Sequence, residues 1–318
     1  MLRRFIPDMF IVILLVTIAF ASVVPARGQG LNIVSSVSNI AIFGLFFFHG
    51  LRLAPSAVWD GLKHWRLQLA VLVFTFGALP VMGLAASSLM PELLSPGLWI
   101  GVLFLCALPS TVQSAISSSS LAGGNVAASV IAAALSNLSA VILTPLIFAA
   151  IAQIGGDGMG INAISKVALL LLLPFALGQV ARTWLAIWAE RHKVWIGRMD
   201  KLTIILAVYV AFSAAVNDGL WDQLSGQELA VLCAFITMFL GLAMAGSWGL
   251  GGVLGLNRAD RITLFYSGAH KSLATGAPMA RILFPGAEAG LIIIPLLFYH
   301  QLQLIVSAWI AARLNRIT

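Results

Sequence analysis

Val141-Ile142-Leu143-Thr144-Pro145-Leu146-Ile147-Phe148 nearly repeats as Leu291-Ile292-Ile293-Ile294-Pro295-Leu296-Leu297-Phe298, 150 residues further along the chain, with four positions identical and three of the others apolar in both. Eight residues alone carry little weight, and the meaning lies in what separates them. Apolar runs bounded by Gly, Pro and charge clusters mark ten candidate helices, at about 9–25, 32–51, 66–89, 98–120, 124–152, 164–188, 201–217, 228–254, 262–284 and 289–312. The two copies fall in the fifth and the tenth. Segments five crossings apart run in opposite directions, which is the pattern of an inverted-topology repeat. The expected fold is an all-α membrane protein of ten transmembrane helices, a single membrane domain made of two inverted five-helix repeats, 1–155 and 156–318.

Composition agrees with a chain that lives in hydrocarbon. Of 318 residues, 60% are hydrophobic and 9% charged, where soluble domains carry about 25% charged residues. With a mean hydropathy of +1.02, a soluble globule is excluded. The formal charge of +7 comes from basic residues scattered singly, so no stripe exists for nucleic acid. Cys106 and Cys233 both lie in apolar runs and read as small buried side chains.

Charge also orients the helices. Placing the first loop outside puts Arg3, Arg4, Arg52, Lys63, Arg66, Arg182, Arg191, Lys193, Arg198, Lys201, Arg258, Arg261, Arg313 and Arg316 on one side, 14 of the 18 basic residues. Arg27, Lys166 and Arg281 fall near the other face, with Glu92, Asp157, Asp218, Asp222, Glu228 and Glu288. By the positive-inside rule both termini are cytoplasmic in an inner or plasma membrane, and the bilayer is the first partner. The N-terminal run after Arg3-Arg4 reads as an uncleaved first span. Arg191 to Lys201 reads as a solvated connector with affinity for anionic lipid.

The fourth and ninth spans are counterparts, and both are interrupted. The fourth runs Leu108-Pro109-Ser110-Thr111-Val112-Gln113-Ser114 into the Ser117–Ser120 cluster, and the ninth runs Tyr266-Ser267-Gly268-Ala269-His270-Lys271-Ser272-Leu273-Ala274-Thr275-Gly276-Ala277-Pro278. Backbone groups freed by such breaks cannot face lipid, so they line a cavity or are buried in protein. Paired breaks in two inverted halves point to a transport site near the midplane. The structural alternative is a pair of proline-kinked packing helices.

Lys271 is the eighteenth basic residue and falls in mid-span, where a lysine costs about 2.5–3.5 kcal/mol on insertion scales. No Asp or Glu lies in the centre of any span to meet it. Three outcomes follow: Lys271 is held as a neutral amine, is solvated in a cavity, or is paired with an anion from outside the chain. The last makes it an anchor for an anionic substrate, assisted by half-helix N-termini; the rivals are a titrating group or a structural one. Ser110, Thr111, Gln113, Ser114, Asn125, Ser129, Ser136, Asn137, Ser267, His270, Ser272 and Thr275 gather candidate neutral ligands in the same region. Asn125 reads equally as a turn residue after Gly123-Gly124. His300, Gln301 and Gln303 could line a cavity or bond between helices, whereas His49 and Arg281 sit near span ends. No nucleophile elbow, metal-ligand spacing or Walker loop is present, so neither an enzyme nor an ATP-driven pump is expected, and no cofactor.

At Ala107-Leu108-Pro109-Ser110-Thr111-Val112-Gln113-Ser114-Ala115, Gly123-Gly124-Asn125-Val126-Ala127 and His270-Lys271-Ser272-Leu273-Ala274-Thr275-Gly276-Ala277-Pro278, the chain resembles the bile acid:sodium symporter superfamily, in its SBF-like branch. The resemblance implies ten helices, a core domain holding crossed, broken fourth and ninth helices, and a panel formed by the first, second, sixth and seventh. It implies alternating-access transport of an organic anion with sodium. The family's sodium ligands include a ninth-helix glutamate, where this chain has Tyr266, with His270 and Lys271 where Gln and Asn would stand. In the fifth helix Ser129 matches a serine ligand and Ala133 replaces a threonine, so Ser114 and Ser129 remain the candidate sodium ligands. No glutamine near Pro80 matches the remaining ligand. The expectation is a secondary transporter of a small organic anion, coupled to sodium, to protons or to neither; a cation/proton antiporter or a non-transporting membrane regulator are the alternatives. The sequence does not specify the oligomeric state.

Overall fold

The computed structural model describes residues 9–52, 64–154, 161–284 and 286–314. Among these the regular structure is all helical and contains no strand. We number the helices α1 (Met9–Val23), α2 (Gly28–Arg52), α3 (Trp65–Leu89), α4 (Pro96–Ala107), α5 (Gln113–Leu121), α6 (Val126–Ile154), α7 (Ile161–Arg191), α8 (Lys193–Asn217), α9 (Gly226–Val253), α10 (Arg258–Ala269), α11 (Leu273–Leu283) and α12 (Glu288–Leu314). Seven of them, α2, α3, α6, α7, α8, α9 and α12, are long and apolar enough to cross a membrane. Large apolar side chains such as Ile40, Val81, Val180, Ile187 and Val253 stand exposed on their outer faces, as lipid-facing residues do.

The helix bounds follow the apolar segments with one correction. The seventh was expected from about 201, whereas α8 begins at Lys193, so most of the Arg191 to Lys201 connector is helix. Apolar runs end where charges begin, yet these charges are tolerated in helix because they are exposed or paired. Lys193 Nζ donates to Glu190 Oε1 at 2.7 Å, and Arg52 forms an ion pair with Asp200. Arg3, Arg4, Asp8, Lys63, Asp157 and Arg316, and the side chain of Lys166, lie outside the described residues.

The chain forms two compact units, each drawn from both halves of the sequence. The first takes Met1–Arg52, Leu169–Ser225 and Ala277–Ile293. Within it α8 packs against α1 and α2, and α2 approaches α7 closely. A Cβ on Gly50 would collide with the Phe175 carbonyl, and one on Gly178 with that of Phe47. Small residues at such contacts let helix backbones touch where no hydrophobic effect drives association. The C-terminal carbonyls of α2, which lack an intrahelical donor, are met from α7: Gln179 Nε2 donates to Gly50 O, and Arg182 Nη1 to Leu51 O at 2.9 Å.

The second unit takes Leu53–Ala168, Gly226–Gly276 and Ile294–Thr318, and it contains both helix breaks. Its packing centres on α10, which lies against α9, α5, α3 and α6. Leu67, Ala70, Val71, Ala128, Ala132 and Leu264 form a buried apolar cluster at the meeting of α3, α6 and α10.

Candidate functional site

The first break is dictated by Pro109. It has no N–H to return to Leu105 O, so Leu108 N takes that carbonyl at 3.2 Å and α4 stops. Leu108, preceding proline, turns extended at φ −76°, ψ 154°. The second break lies between α10 and α11, where His270 is extended at φ −73°, ψ 144°.

Several of the backbone groups at these breaks are taken up by neighbouring helices of the same unit. On the first, Ser110 N donates to Ser136 Oγ at 2.9 Å and Ser110 O accepts from Asn137 Nδ2 at 3.0 Å, both from α6. On the second, Gln303 of α12 holds the backbone of Lys271 at both ends: its Oε1 accepts from Lys271 N at 2.8 Å and its Nε2 donates to Lys271 O at 2.9 Å. The last carbonyl of each leading half-helix is treated alike, Ala107 O by Thr144 Oγ1 of α6 at 2.7 Å and Ala269 O by Tyr299 Oη of α12 at 2.6 Å. The breaks also bond each other. Ser272 N donates to Pro109 O at 2.9 Å, and Thr275 Oγ1 donates to Asn137 Oδ1 at 2.9 Å, so that Asn137 touches both. Gly276 permits this approach, since a Cβ there would meet the side chains of Leu108 and Leu296.

Lys271 is fully buried. Its Nζ donates to Leu108 O at 2.6 Å, Cys106 O at 2.7 Å and Thr75 O at 3.0 Å. Three acceptors require three N–H groups, so this geometry is that of the ammonium. Two acceptors belong to the C-terminal end of α4, where orphan carbonyls carry partial negative charge. The third is freed by a π-turn at Phe74–Ala78 of α3. There Leu79 N bonds Phe74 O, and the next donor in that ladder would be Pro80, which has none, leaving Thr75 O for the lysine. The carboxylate that the sequence lacks is thus answered by backbone.

The other candidate residues all lie in the second unit, in separate groups. His270, also fully buried, places Nε2 2.7 Å from Ser307 Oγ of α12 and Nδ1 3.3 Å from Thr111 Oγ1 and 3.4 Å from Ser114 Oγ. Ser129 Oγ instead contacts Thr263 Oγ1 at 3.5 Å, in a cluster with Ser119 and the Asn125 carbonyl. Ser114 and Ser129, the candidate sodium ligands, therefore belong to different hydroxyl clusters. The hydroxyls of Ser110, Tyr266 and Ser267 are buried with no hydrogen-bond partner. Gln113 is exposed and Ser114 partly so, at the first turn of α5. Gln303, Asn137 and Tyr299 are the residues that sequence reasoning undervalued; a polar side chain facing a break from the last helix of either half is the signal that finds them.

Asn125 takes the turn role. Gly123, at φ +78°, reverses the chain, and Asn125 Oδ1 then accepts from Ala128 N at 3.1 Å, capping α6. Its Nδ2 donates at 2.8 Å to Asp260 Oδ1, whose other oxygen accepts from Asn257 Nδ2 at 2.8 Å. Asn125→Asp would keep the cap but set two carboxylates against each other. Asn125→Ala is expected to lower stability by about 0.5–2 kcal/mol, the value of a cap, and Asn125→Asp by more; thermal unfolding in detergent reads the order, and an Asp variant as stable as wild type would refute it.

The chain matches the SBF-like CPA transporter family over residues 8–316. It is 43% identical over 314 residues to an uncharacterized protein of Pseudomonas aeruginosa, covering 98% of this chain and 94% of that one. It is 40% identical over 311 residues to YfeH of Escherichia coli, whose name marks it as a candidate symporter, with 98% and 94% covered. To sodium/bile acid cotransporter 7 of Xenopus tropicalis it is 27% identical over 318 residues, with 97% and 92% covered. With seven helices able to cross a membrane, this is a multi-pass membrane protein, and the chain belongs to the SBF-like CPA transporter family.

Proposed function

We propose that this protein is a secondary active transporter of a small organic anion, working by alternating access, with the meeting of the two helix breaks as its transport site. The observation that carries this reading is the bond of Ser272 N to Pro109 O, flanked by Asn137 on both breaks. Broken helices held against each other in this way are how membrane proteins keep polar backbone at depth beside a cavity. Ten crossings in two inverted halves, 1–155 and 156–318, fit the same features: α1 and the pairs α4/α5 and α10/α11 add to the seven long helices. The parallel clamping of each break from α6 and from α12 supports the repeat. The positive-inside rule then puts both termini in the cytoplasm.

The anion binds at the exposed first turn of α5, where Gln113 and Ser114 stand at a half-helix N-terminus. Relatives named sodium/bile acid cotransporter put amphipathic carboxylates first among the substrates to try. Uptake into proteoliposomes of a panel of organic anions, with and without a sodium gradient, tests the reading. For the anion that is carried, Gln113→Leu should reduce uptake about 10- to 100-fold, as loss of a hydrogen bond to a charged group of about 1.5–3 kcal/mol implies, with the melting temperature unchanged. Exchange of a monovalent cation driven by a pH gradient, with no anion carried, would instead establish the antiporter; no transport by folded protein would establish the regulator.

A further inference from the structure

We propose that the Leu108, Cys106 and Thr75 carbonyls form a monovalent-cation site that the protein fills with its own ammonium, Lys271, so that transport needs no sodium. The statement about transport rests on the transporter reading above; the cation site does not.

Three backbone oxygens converge on one point at 2.6, 2.7 and 3.0 Å. Carbonyl oxygens arranged around a single centre are how proteins replace the hydration shell of an alkali ion. All three here are surplus to helical bonding, for separate reasons. Cys106 and Leu108 lie at the end of α4 beside Pro109, and Thr75 lies in a π-turn whose next donor is Pro80. A helix end ordinarily draws such carbonyls back by 3₁₀ bonds or caps, yet these are left pointing at a common target. The oxygens are neutral, so their site suits a singly charged guest; a divalent ion would call for carboxylates. The side chain that supplies the guest enters on a backbone fixed from both ends by Gln303. The segment after α10 brings the positive charge itself, and a free cation loses its place.

The experiment uses Lys271→Ala in detergent without substrate, and reads thermal unfolding in chlorides of choline, sodium, potassium, ammonium and n-propylammonium at equal ionic strength. n-Propylammonium has the three carbons and the nitrogen that the substitution removes; n-propanol fills the same space without the charge. The variant should melt well below wild type in choline, and regain at least half of the lost interval in n-propylammonium, with ammonium and potassium next and n-propanol giving none. Its melting point should rise with the logarithm of amine concentration, as ligand linkage requires. Wild type should melt within about 1 °C in all the salts, which is the absence of linkage.

Equal rescue by n-propanol would mean that the side chain serves volume alone, and would overturn the proposal, as would a folded variant that responds to no cation. Stabilisation of wild type by sodium over choline would overturn it independently, and decides the matter if the variant cannot be purified folded. Failure to find any transported anion leaves these outcomes standing, because none uses substrate; conversely, uptake that collapses without sodium would refute sodium independence while keeping the transporter.

Discussion

Lys271→Met is expected to destabilise the protein by about 3 kcal/mol, the net of two opposed terms. Methionine matches the four-atom stem of lysine and lacks the ammonium, so the cost of placing lysine in the bilayer interior, about 2.5–3.5 kcal/mol, is recovered. Against that, Leu108 O, Cys106 O and Thr75 O lose their donor together, and each unsatisfied buried carbonyl costs about 1–3 kcal/mol. The second term is larger because two acceptors are held by the end of α4 and the third by the π-turn of α3, so none can turn to water. Lys271→Arg should not restore the loss, since a planar guanidinium presents its donors in a fork and cannot reach three carbonyls around one point. Chemical unfolding in mixed micelles measures both. A methionine variant as stable as wild type would mean that the ammonium is tolerated and holds nothing together.

Much of this could be read from the sequence because proline and charge interrupt an apolar run visibly. Pro109 and the Gly268–Ser272 stretch mark both breaks, and α4/α5 and α10/α11 part at those places. That Lys271 needed an answer was equally legible, since no mid-span carboxylate exists. The nature of the answer was not, because a backbone carbonyl has no letter of its own. Of the three that hold the ammonium, one is marked indirectly, by Pro80 withholding an N–H from the turn that contains Thr75.

The polar side chains were harder to sort for a related reason. Ser110, Ser129 and Asn125 look alike as mid-membrane oxygens. The structure separates them by what they touch: Ser129 lies in a hydroxyl cluster with Thr263, and Asn125 closes a cap and reaches Asp260. The gathering of the two units from distant segments is also invisible to a local reading, because apolar periodicity says which face is lipid-exposed but not which helix lies opposite. The early start of α8 escaped for a simpler reason: Asp200 ends an apolar run on paper, while in the fold its charge is met by Arg52.

Asn137→Leu is expected to uncouple the two breaks at a cost of about 2–4 kcal/mol. Its amide donates to Ser110 O at 3.0 Å and to Ala133 O at 2.9 Å, and its carbonyl oxygen accepts from Thr275 Oγ1 at 2.9 Å. Leucine keeps the branched heavy-atom skeleton of asparagine and replaces its two polar atoms by bulkier methyl groups, so the change acts mainly on hydrogen bonding. Ala133 O retains its place in the α6 helix. Ser110 O, beyond the end of α4, loses its donor at the usual cost of about 1–3 kcal/mol. Thr275 can turn its hydroxyl to Ser272 Oγ, 3.2 Å away, which limits its share to about 1 kcal/mol. The substitution Thr275→Val removes the other end of the same bond and should cost less than Asn137→Leu. In a double-mutant cycle the two should be sub-additive by about 0.5–3 kcal/mol, the coupling seen between residues in contact. Additive effects would show that Asn137 serves α6 and the first break only. Asn137→Leu and Asn125→Ala together separate stability from turnover: if the meeting of the breaks is the transport site, Asn137→Leu should also reduce the uptake rate at temperatures where the protein remains folded, while Asn125→Ala, which weakens the fold away from the crossing, should leave uptake per folded molecule close to that of wild type.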